Sequence, residues 1–343
     1  MKFKSLLIFV VSLTLVSCSK KNEFSANFEN INNRIWIGKE FWSIPLEDWK
    51  IEDGKMQCIG SVPQSRVNLL THILSDETGE FEASVKVGLI KANNIPGSAG
   101  LILGIYDEED ADVKSLCYFG KGIPAGISLQ GFAFLKDQRA ELPENFDFSE
   151  ATISVSGNDK QLEMKVSDKN GNGPDLLSCK IEGIQGLVAV ANNINIDGNK
   201  KSGNSHFSFD DIKLSGSKVT VKQENAFGPI LWTMYTLSKG TVKMMALLPP
   251  IGVDDNQIVN LQLKKNETWE TVASESLEPD SRTVVFKLDK WDAGSDVAYR
   301  VEYNEKGING NETPNYYEGI IRRDPVDRPL KFGGLTCQNH IGF

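Results

Sequence analysis

Short stretches in which apolar and polar residues alternate recur along most of the chain. Residues 81–87, 153–155 and 162–166 each place an apolar side chain at every second position. A period of two puts these side chains on one face of a β-strand. Residues 99–105 and 187–191 are instead continuous apolar runs, which favour strands covered on both faces. Many short strands at regular spacing predict a β-sandwich over residues 24–217.

A turn signal separates two of these strands. The run Asp168-Lys169-Asn170-Gly171-Asn172-Gly173 follows residues 162–166. Asn-Gly between alternating segments predicts a hairpin. The same run also begins like a calcium-binding loop, with oxygen-bearing residues at alternate positions and glycine sixth. Cys179 stands where such a loop needs a bidentate glutamate, so we favour the hairpin.

A second group of alternating stretches covers residues 218–325. Residues 242–248 form an apolar run that Pro249 and Pro250 end, and residues 258–263 and 283–288 alternate. Val297, Tyr299, Val301 and Tyr303 share one face of another predicted strand. These stretches predict a second β-domain of about 105 residues, a size that suits one sandwich.

The first eighteen residues resemble a bacterial lipoprotein signal. Lys2 and Lys4 precede the apolar run 5–16, which is too short to cross a membrane, and Leu15-Val16-Ser17-Cys18 follows. These last four residues resemble a lipobox. The resemblance implies that Cys18 is lipidated and residues 1–17 are removed, with Ser19 favouring an outer-membrane location. An ordinary signal peptide with a chance cysteine is the alternative.

Charge and cysteine content argue against two kinds of binding site, one for nucleic acid and one for structural zinc. The formal net charge is −9 and no long basic run occurs, which argues against nucleic acid as a partner. Cys58, Cys117 and Cys179 form no Cys-x-x-Cys pair, so a structural zinc site is not expected. We expect three buried free thiols, with one disulfide as the alternative. His72 and His206 lie on separate predicted strands and are expected to be structural.

The first predicted domain resembles the concanavalin-like (LamG-type) jelly roll. The resemblance lies in residues 48–54, 68–71 and 207–216. Glycoside hydrolases of that fold carry Glu-x-Asp-x-x-Glu on one strand, and this sequence contains no such motif. Glu80 and Glu82 are expected to form a solvated face.

Three tryptophans near the start of this domain have two interpretations. Trp36, Trp42 and Trp49 could together form a platform on which a sugar stacks, because aromatic rings bind the apolar faces of sugars. Packing in the core is the other interpretation, and the commoner one. The choice decides whether these residues are glycan contacts.

The second predicted domain resembles a fibronectin type III (Ig-like) domain. Residues 288–301 resemble the approach to its penultimate strand. There a tyrosine, here Tyr299, follows a turn and bonds back to the backbone.

The end of the chain resembles the beginning of a catalytic domain. Pro325 and Pro329 precede residues 330–335, an apolar, glycine-rich run that predicts a buried strand. Residues 334–338, after the approach at 317–323, resemble the first catalytic strand of PhoD-like alkaline phosphatases, with Thr336 in place of a serine. The resemblance implies that residues 326–343 begin a metallophosphatase domain and that Cys337 is a metal ligand. It further implies that the complete enzyme binds ions of the iron, calcium, manganese or zinc class.

Together these patterns predict an all-β chain. A concanavalin-like jelly-roll sandwich would be followed by an Ig/fibronectin III-like sandwich and by the first strand of a missing α/β metallophosphatase domain. Our first hypothesis is the non-catalytic front of a lipid-anchored phosphoric ester hydrolase, inactive by itself and without a cofactor. The alternative is a stand-alone lipoprotein of the bacterial cell envelope that binds glycan.

Overall fold

The computed structural model describes residues 22–60, 62–196 and 203–327, and also residues 329, 331, 333 and 334. Cys18 and Cys337 lie outside the described residues, as do Leu330, Phe332 and Leu335 of the predicted strand 330–335. The described Lys331, Gly333 and Gly334 are exposed and belong to no strand, so the predicted buried strand is not found at these three residues. The lipid anchor, the metal ligand and the start of a catalytic domain therefore stay predictions of the sequence. Within the described ranges, no helix has the length and hydrophobicity that a membrane span requires.

The described residues of the first part of the chain, 22–60, 62–196 and 203–221, contain sixteen strands and one α-helix. They are β1 (Asn22–Ala26), β2 (Phe41–Ser43), β3 (Trp49–Glu52), β4 (Lys55–Cys58), β5 (Ser65–Leu74), β6 (Phe81–Lys91), β7 (Ser98–Tyr106), α1 (Val113–Phe119), β8 (Lys121–Ser128), β9 (Phe132–Leu135), β10 (Gln138–Glu141), β11 (Ala151–Gly157), β12 (Gln161–Asp168), β13 (Leu177–Lys180), β14 (Gly186–Asn192), β15 (His206–Gly216) and β16 (Val219–Val221).

These strands form two eight-stranded sheets. Sheet A has the order β13-β12-β11-β6-β15-β4-β3, with β1 on β15, and sheet B has the order β10-β9-β8-β7-β14-β5-β16, with β2 on β5. One hydrophobic cluster joins them, and it includes Val85 of β6, Ile153 of β11, Leu69 of β5 and Leu101 of β7. The alternating residues of the sequence therefore line the space between two sheets. The predicted all-β sandwich is confirmed.

Helix α1 covers part of the outer face of sheet B, the face directed away from the main core. Asp112 begins the helix, because its carboxylate accepts bonds from the backbone nitrogens of Lys114 at 3.0 Å and Ser115 at 3.4 Å. Leu116 and Cys117 of α1 belong to a separate apolar cluster with Leu187 and Ala189 of β14. This cover explains why residues 187–191 are apolar on both faces.

Residues 222–327, all of which the structure describes, contain seven strands in two sheets. They are β17 (Trp232–Ser238), β18 (Thr241–Leu247), β19 (Ile258–Lys265), β20 (Thr268–Ser276), β21 (Thr283–Asp289), β22 (Val297–Lys306) and β23 (Glu312–Ile321). Sheet C has the order β17-β18-β21, and sheet D has the order β20-β19-β22-β23. A second apolar cluster lies within this unit, which agrees with the predicted second sandwich.

One expected contact of the second sandwich differs. The hydroxyl of Tyr299 bonds to the Thr233 side chain at 2.6 Å and not to the backbone. Tyr299 lies in a strand and is buried, so its hydroxyl reaches the neighbouring β17. The tyrosine therefore joins sheet D to sheet C through two side chains.

Residues 219–221 were placed at the start of the second domain by the sequence analysis. In the structure they pair with β5 in sheet B, with Val219 opposite Leu74. Lys218, directly before them, is fully buried. Its ammonium group makes an ion pair with Asp159 and donates to the Glu77 carbonyl at 2.8 Å. The first sandwich therefore extends to Val221, and residues 222–231 connect it to β17.

Candidate functional site

The three tryptophans do not form an exposed platform. Trp36 and Trp49 are only 2% and 0% exposed. Trp49 packs against Phe209 with ring centroids 5.5 Å apart, and the guanidinium of Arg34 covers the Trp36 ring at 4.6 Å. Trp42 is half-buried against Phe227. Because buried rings offer no face to a ligand, the stacking platform is corrected to core packing for Trp36 and Trp49.

The acidic residues singled out from the sequence behave as the plainer interpretation predicted. Glu80 and Glu82 are exposed, and the loop 169–176 connects β12 to its antiparallel partner β13. Asp168 accepts bonds from the backbone nitrogens of Asn170 and Asn172, each at 2.8 Å. Its oxygens therefore shape the hairpin. Within the described ranges, no group of three or more His, Cys, Asp or Glu side chains could hold a metal ion.

The described cysteines are structural. Cys58, Cys117 and Cys179 are all buried and unbridged. Burial raises the pKa of Cys58 to about 12 and that of Cys117 to about 11, so neither thiol is activated as a nucleophile. The expectation of buried free thiols is confirmed. Burial also lowers the pKa of His72, which lies 3.0 Å from the Thr71 hydroxyl.

A slot of about 160 Å³ opens on the outer face of sheet B beside α1. Its floor contains Ile102 of β7 and Ala191 of β14. One wall is the start of β8, and the other is the segment after β14. The lining residues are Gln64, Arg66, Ile102, Gly120, Lys121, Gly122, Pro124, Ala191, Ile194 and Asn195. An apolar cavity of about 150 Å³ holds a benzene molecule, so the slot has room for one six-membered ring.

Arg66 fixes the end of the slot formed by α1. Its Nη1 donates to the Gly120 carbonyl at 3.0 Å, and its Nη2 donates to the carbonyls of Leu116 at 3.0 Å and Cys117 at 3.1 Å. The Cys117 carbonyl is one that the last turn of a helix leaves without an intrahelical partner, whereas the Leu116 carbonyl also accepts from the Gly120 nitrogen at 3.1 Å. Arg66 therefore holds the helix end, and with it the wall of the slot.

Asn195 contributes a polar atom with no partner. Its Oδ1 is buried and accepts no hydrogen bond from any described residue. Leaving a buried acceptor unsatisfied costs about 1–3 kcal/mol. Gln64 and Asn193 close the same end of the slot in left-handed backbone conformations, with φ of 58° and 53°, and the Gln64 nitrogen donates to the Asn193 carbonyl at 2.9 Å. Such conformations concentrate at ligand sites.

Two exposed aromatic rings stand immediately before Gly120 in the chain. Tyr118 is 64% exposed and Phe119 is 52% exposed, and their centroids are 5.8 Å apart with a 32° angle between the ring planes. Helix α1 presents them to solvent because Leu116 and Cys117 occupy its buried side. An apolar floor, an unpaired acceptor and exposed rings therefore lie within one short stretch of surface.

This site has no continuous signal in the amino-acid sequence. The slot combines residues near 65, 120 and 195, which are brought together by the β5-β14-β7-β8 pairing alone. The pair Tyr118-Phe119 beside Gly120 was the one local signal, since adjacent exposed aromatics are unusual on a surface. Nothing local marked Asn195.

No protein-family model matches the sequence, and no curated protein matches it. Several solved structures of lectins resemble part of the chain. Lectin II from Ulex europaeus has a TM-score of 0.37 at 12% identity, over 56% of this chain and 98% of that chain. Basic winged bean lectin with Tn-antigen has a TM-score of 0.36 at 9% identity, over 57% of this chain and 99% of that chain. The VIP36 exoplasmic/lumenal domain in its Ca²⁺/Man3GlcNAc-bound form has a TM-score of 0.33 at 8% identity, over 58% of this chain and 92% of that chain. With every TM-score below 0.5, we infer neither ligand nor activity from these likenesses.

Proposed function

We propose that the first sandwich binds a glycan through the slot beside α1, with one sugar ring seated in it. The lining of the slot carries this proposal. Ile102 and Ala191 offer an apolar floor, and Asn195 Oδ1 receives no hydrogen bond from the residues that the structure describes. A sugar ring presents carbon-bound hydrogens on its faces and hydroxyl donors at its edge. Binding pockets combine a few placed polar groups with apolar walls in this way.

The polar groups at the rim suit hydroxyls that both donate and accept. Gln64 is exposed at one end, and Lys121 is exposed at the start of β8. The Nε–H of Arg66 and one of its Nη1 hydrogens form no hydrogen bond with the described residues. The rings of Tyr118 and Phe119 could then stack on the next sugar unit outside the slot.

A panel of immobilised glycans tests this function. The full chain should bind at least one class of neutral or acidic oligosaccharide, and Tyr118→Ala should weaken that binding at least about tenfold, the effect of losing about 1.4 kcal/mol. Met234→Ala is the control, because Met234 is an exposed apolar side chain of the second sandwich, 58% exposed. No binding across a broad panel, or equal loss in both variants, would contradict the proposal.

The features outside the described residues remain separate proposals. A lipidated Cys18 would hold the glycan-binding sandwich at the bacterial cell envelope. A metallophosphatase domain that begins near Cys337 would receive the polymer bound by the sandwich. Neither is needed for the slot to bind sugar.

A further inference from the structure

The outer face of sheet D carries an arginine between two aromatic rings. Arg300 lies on β22, and its guanidinium carbon is 4.7 Å from the centroid of the Trp269 ring on β20. The same carbon is 4.0 Å from the centroid of the Tyr316 ring on β23. Both distances are within the range of a cation–π contact. We call Trp269, Arg300 and Tyr316 the arginine stack.

A chain of hydrogen bonds fixes this stack to the sheet. Arg300 Nε donates to Gln262 Oε1 at 2.6 Å, and Gln262 is only 7% exposed. Gln262 Nε2 in turn donates to Glu302 Oε2 at 3.0 Å and to the Thr271 hydroxyl at 3.2 Å. Each link removes rotational freedom from the next side chain. The guanidinium is therefore held in place before any ligand arrives, which lowers the entropic cost of binding.

The two terminal nitrogens of Arg300 have no hydrogen-bond partner among the described residues. Its single hydrogen bond to the described residues is made by Nε, and the Nη1 and Nη2 groups donate to none of them. Four N–H donors of one planar group thus remain free beside two aromatic rings. This planar fork matches the two oxygens of a carboxylate in a bidentate pair. The neighbouring rings displace water and so strengthen such a pair.

Charges around the stack limit the ligand. Glu302 lies next to it, and Glu318 is directly opposite Arg300 in the β22-β23 register. Two carboxylates flanking one guanidinium would repel a polyanion such as an acidic polysaccharide. Both aromatic rings also give a face to the guanidinium, so no gap between them can receive a sugar ring. A single carboxylate on an otherwise uncharged segment meets less of this repulsion than a polyanion does, because its one negative charge can pair directly with the Nη groups of Arg300.

We propose that the arginine stack binds one aspartate or glutamate side chain of a partner protein. Trp, Tyr and Arg are the residues most enriched among the energetically dominant positions of protein interfaces. Ile258 and Ile320 on the same face are 43% and 42% exposed, and they would pack against apolar residues on either side of the partner's carboxylate. This surface belongs to the second sandwich, so the interaction is independent of the slot beside α1.

A matched pair of peptides tests the interaction. Acetyl-Leu-Glu-Leu-amide should shift the NMR signals of the Arg300 Nε–H and the Trp269 indole N–H in the full chain. The same peptide with Gln at its centre should bind at least about tenfold more weakly, because it lacks the charge-assisted pair. Arg300→Lys keeps the charge but loses the fork, and it should weaken the Glu peptide by a similar factor. Arg323→Lys, at an exposed arginine paired with Asp327, should leave binding unchanged.

Three results would overturn the proposal. The first is no signal change with either peptide. The second is equal binding of the Glu and Gln peptides, or full binding by an Arg300→Lys variant whose circular dichroism is unchanged. The third is a polygalacturonate oligomer that shifts the same signals at lower concentration than the peptide, which would assign the surface to an acidic glycan.

Discussion

Replacing Arg34 with methionine perturbs a buried contact between the two sandwiches. Backbone bonds with Ile51 tie Arg34 to the first sandwich, at 3.0 and 2.7 Å. Its side chain, 1% exposed, reaches the second sandwich. Nη2 lies 2.6 Å from Glu305 Oε1, and Nη1 lies 3.6 Å from Asp255 Oδ1. The substitution keeps an unbranched apolar stem and removes the guanidinium with its charge.

The expected loss of unfolding free energy depends on how Asp255 and Glu305 fare without the Arg34 guanidinium. The Asp255 side chain is 0% exposed, and breaking a buried pair from one side costs about 3–5 kcal/mol. Asp255 keeps two donors, Asn32 Nδ2 at 3.0 Å and the Gly252 nitrogen at 2.7 Å, and the Glu305 side chain is 27% exposed and can rehydrate. We therefore expect Arg34→Met to lower the free energy of unfolding by about 3 kcal/mol, the lower end of that range.

Urea unfolding followed by tryptophan fluorescence measures this loss. The midpoint should fall by about 1 M or more, and Asp255→Asn in the Arg34→Met background should recover part of the loss, because it removes the unpaired charge. Arg323→Met is the control and should change the unfolding free energy by less than about 0.5 kcal/mol, as for other surface pairs. A loss below about 1 kcal/mol in Arg34→Met would refute the reasoning.

Four further outcomes are expected. Burial opposes the ionisation of Asp168, but hydrogen bonds from Asn172 and neighbouring backbone nitrogens lower its pKa to about 2. The ionised Asp168 side chain therefore gives its full stabilisation above the unfolded pKa of about 3.9, and this stabilisation is lost as the pH falls toward the folded pKa. Acid titration should show the advantage of wild type over Asp168→Asn vanish as the pH falls to about 2. In a Cys18→Ser, Cys337→Ser background, a thiol reagent at pH 8 should label the native protein negligibly and three thiols after unfolding. Trypsin should leave the native chain uncut at Lys218 and Lys222, because Lys218 is buried and the backbone nitrogen of Lys222 donates to the Thr71 carbonyl at 2.7 Å. Early cleavage at either lysine would contradict the pairing of β16. Labelled palmitate should enter wild type and not Cys18→Ala.

The alternation of apolar residues predicted most of the fold because it reports burial directly. Val85, Ile153 and Leu162 alternate with polar residues, and all three lie between the sheets. The run 187–191 was correctly assigned to a strand buried on both faces, although its cover could not be named. That cover is α1, a seven-residue helix too short for a periodic signal.

The site was less accessible to sequence reasoning, because exposure depends on partners distant in the chain. Trp36 and Trp49 look like Trp42 in the sequence, but Arg34 and Phe209 bury the first two. The arginine stack likewise joins residues near 269, 300 and 316, which only the order of sheet D brings together. No local pattern marks such a convergence.

The affinity of Asn195→Ala for a glycan that the wild-type chain binds tests the slot most directly. Asn195 Oδ1 has no donor among the described residues, so removing it should leave the free energy of unfolding equal or higher. The same change should weaken glycan binding at least about tenfold, because the bound sugar loses its acceptor. Stability retained together with binding lost is the result we predict. Unchanged glycan affinity in this variant would contradict the assignment of the slot as the sugar site.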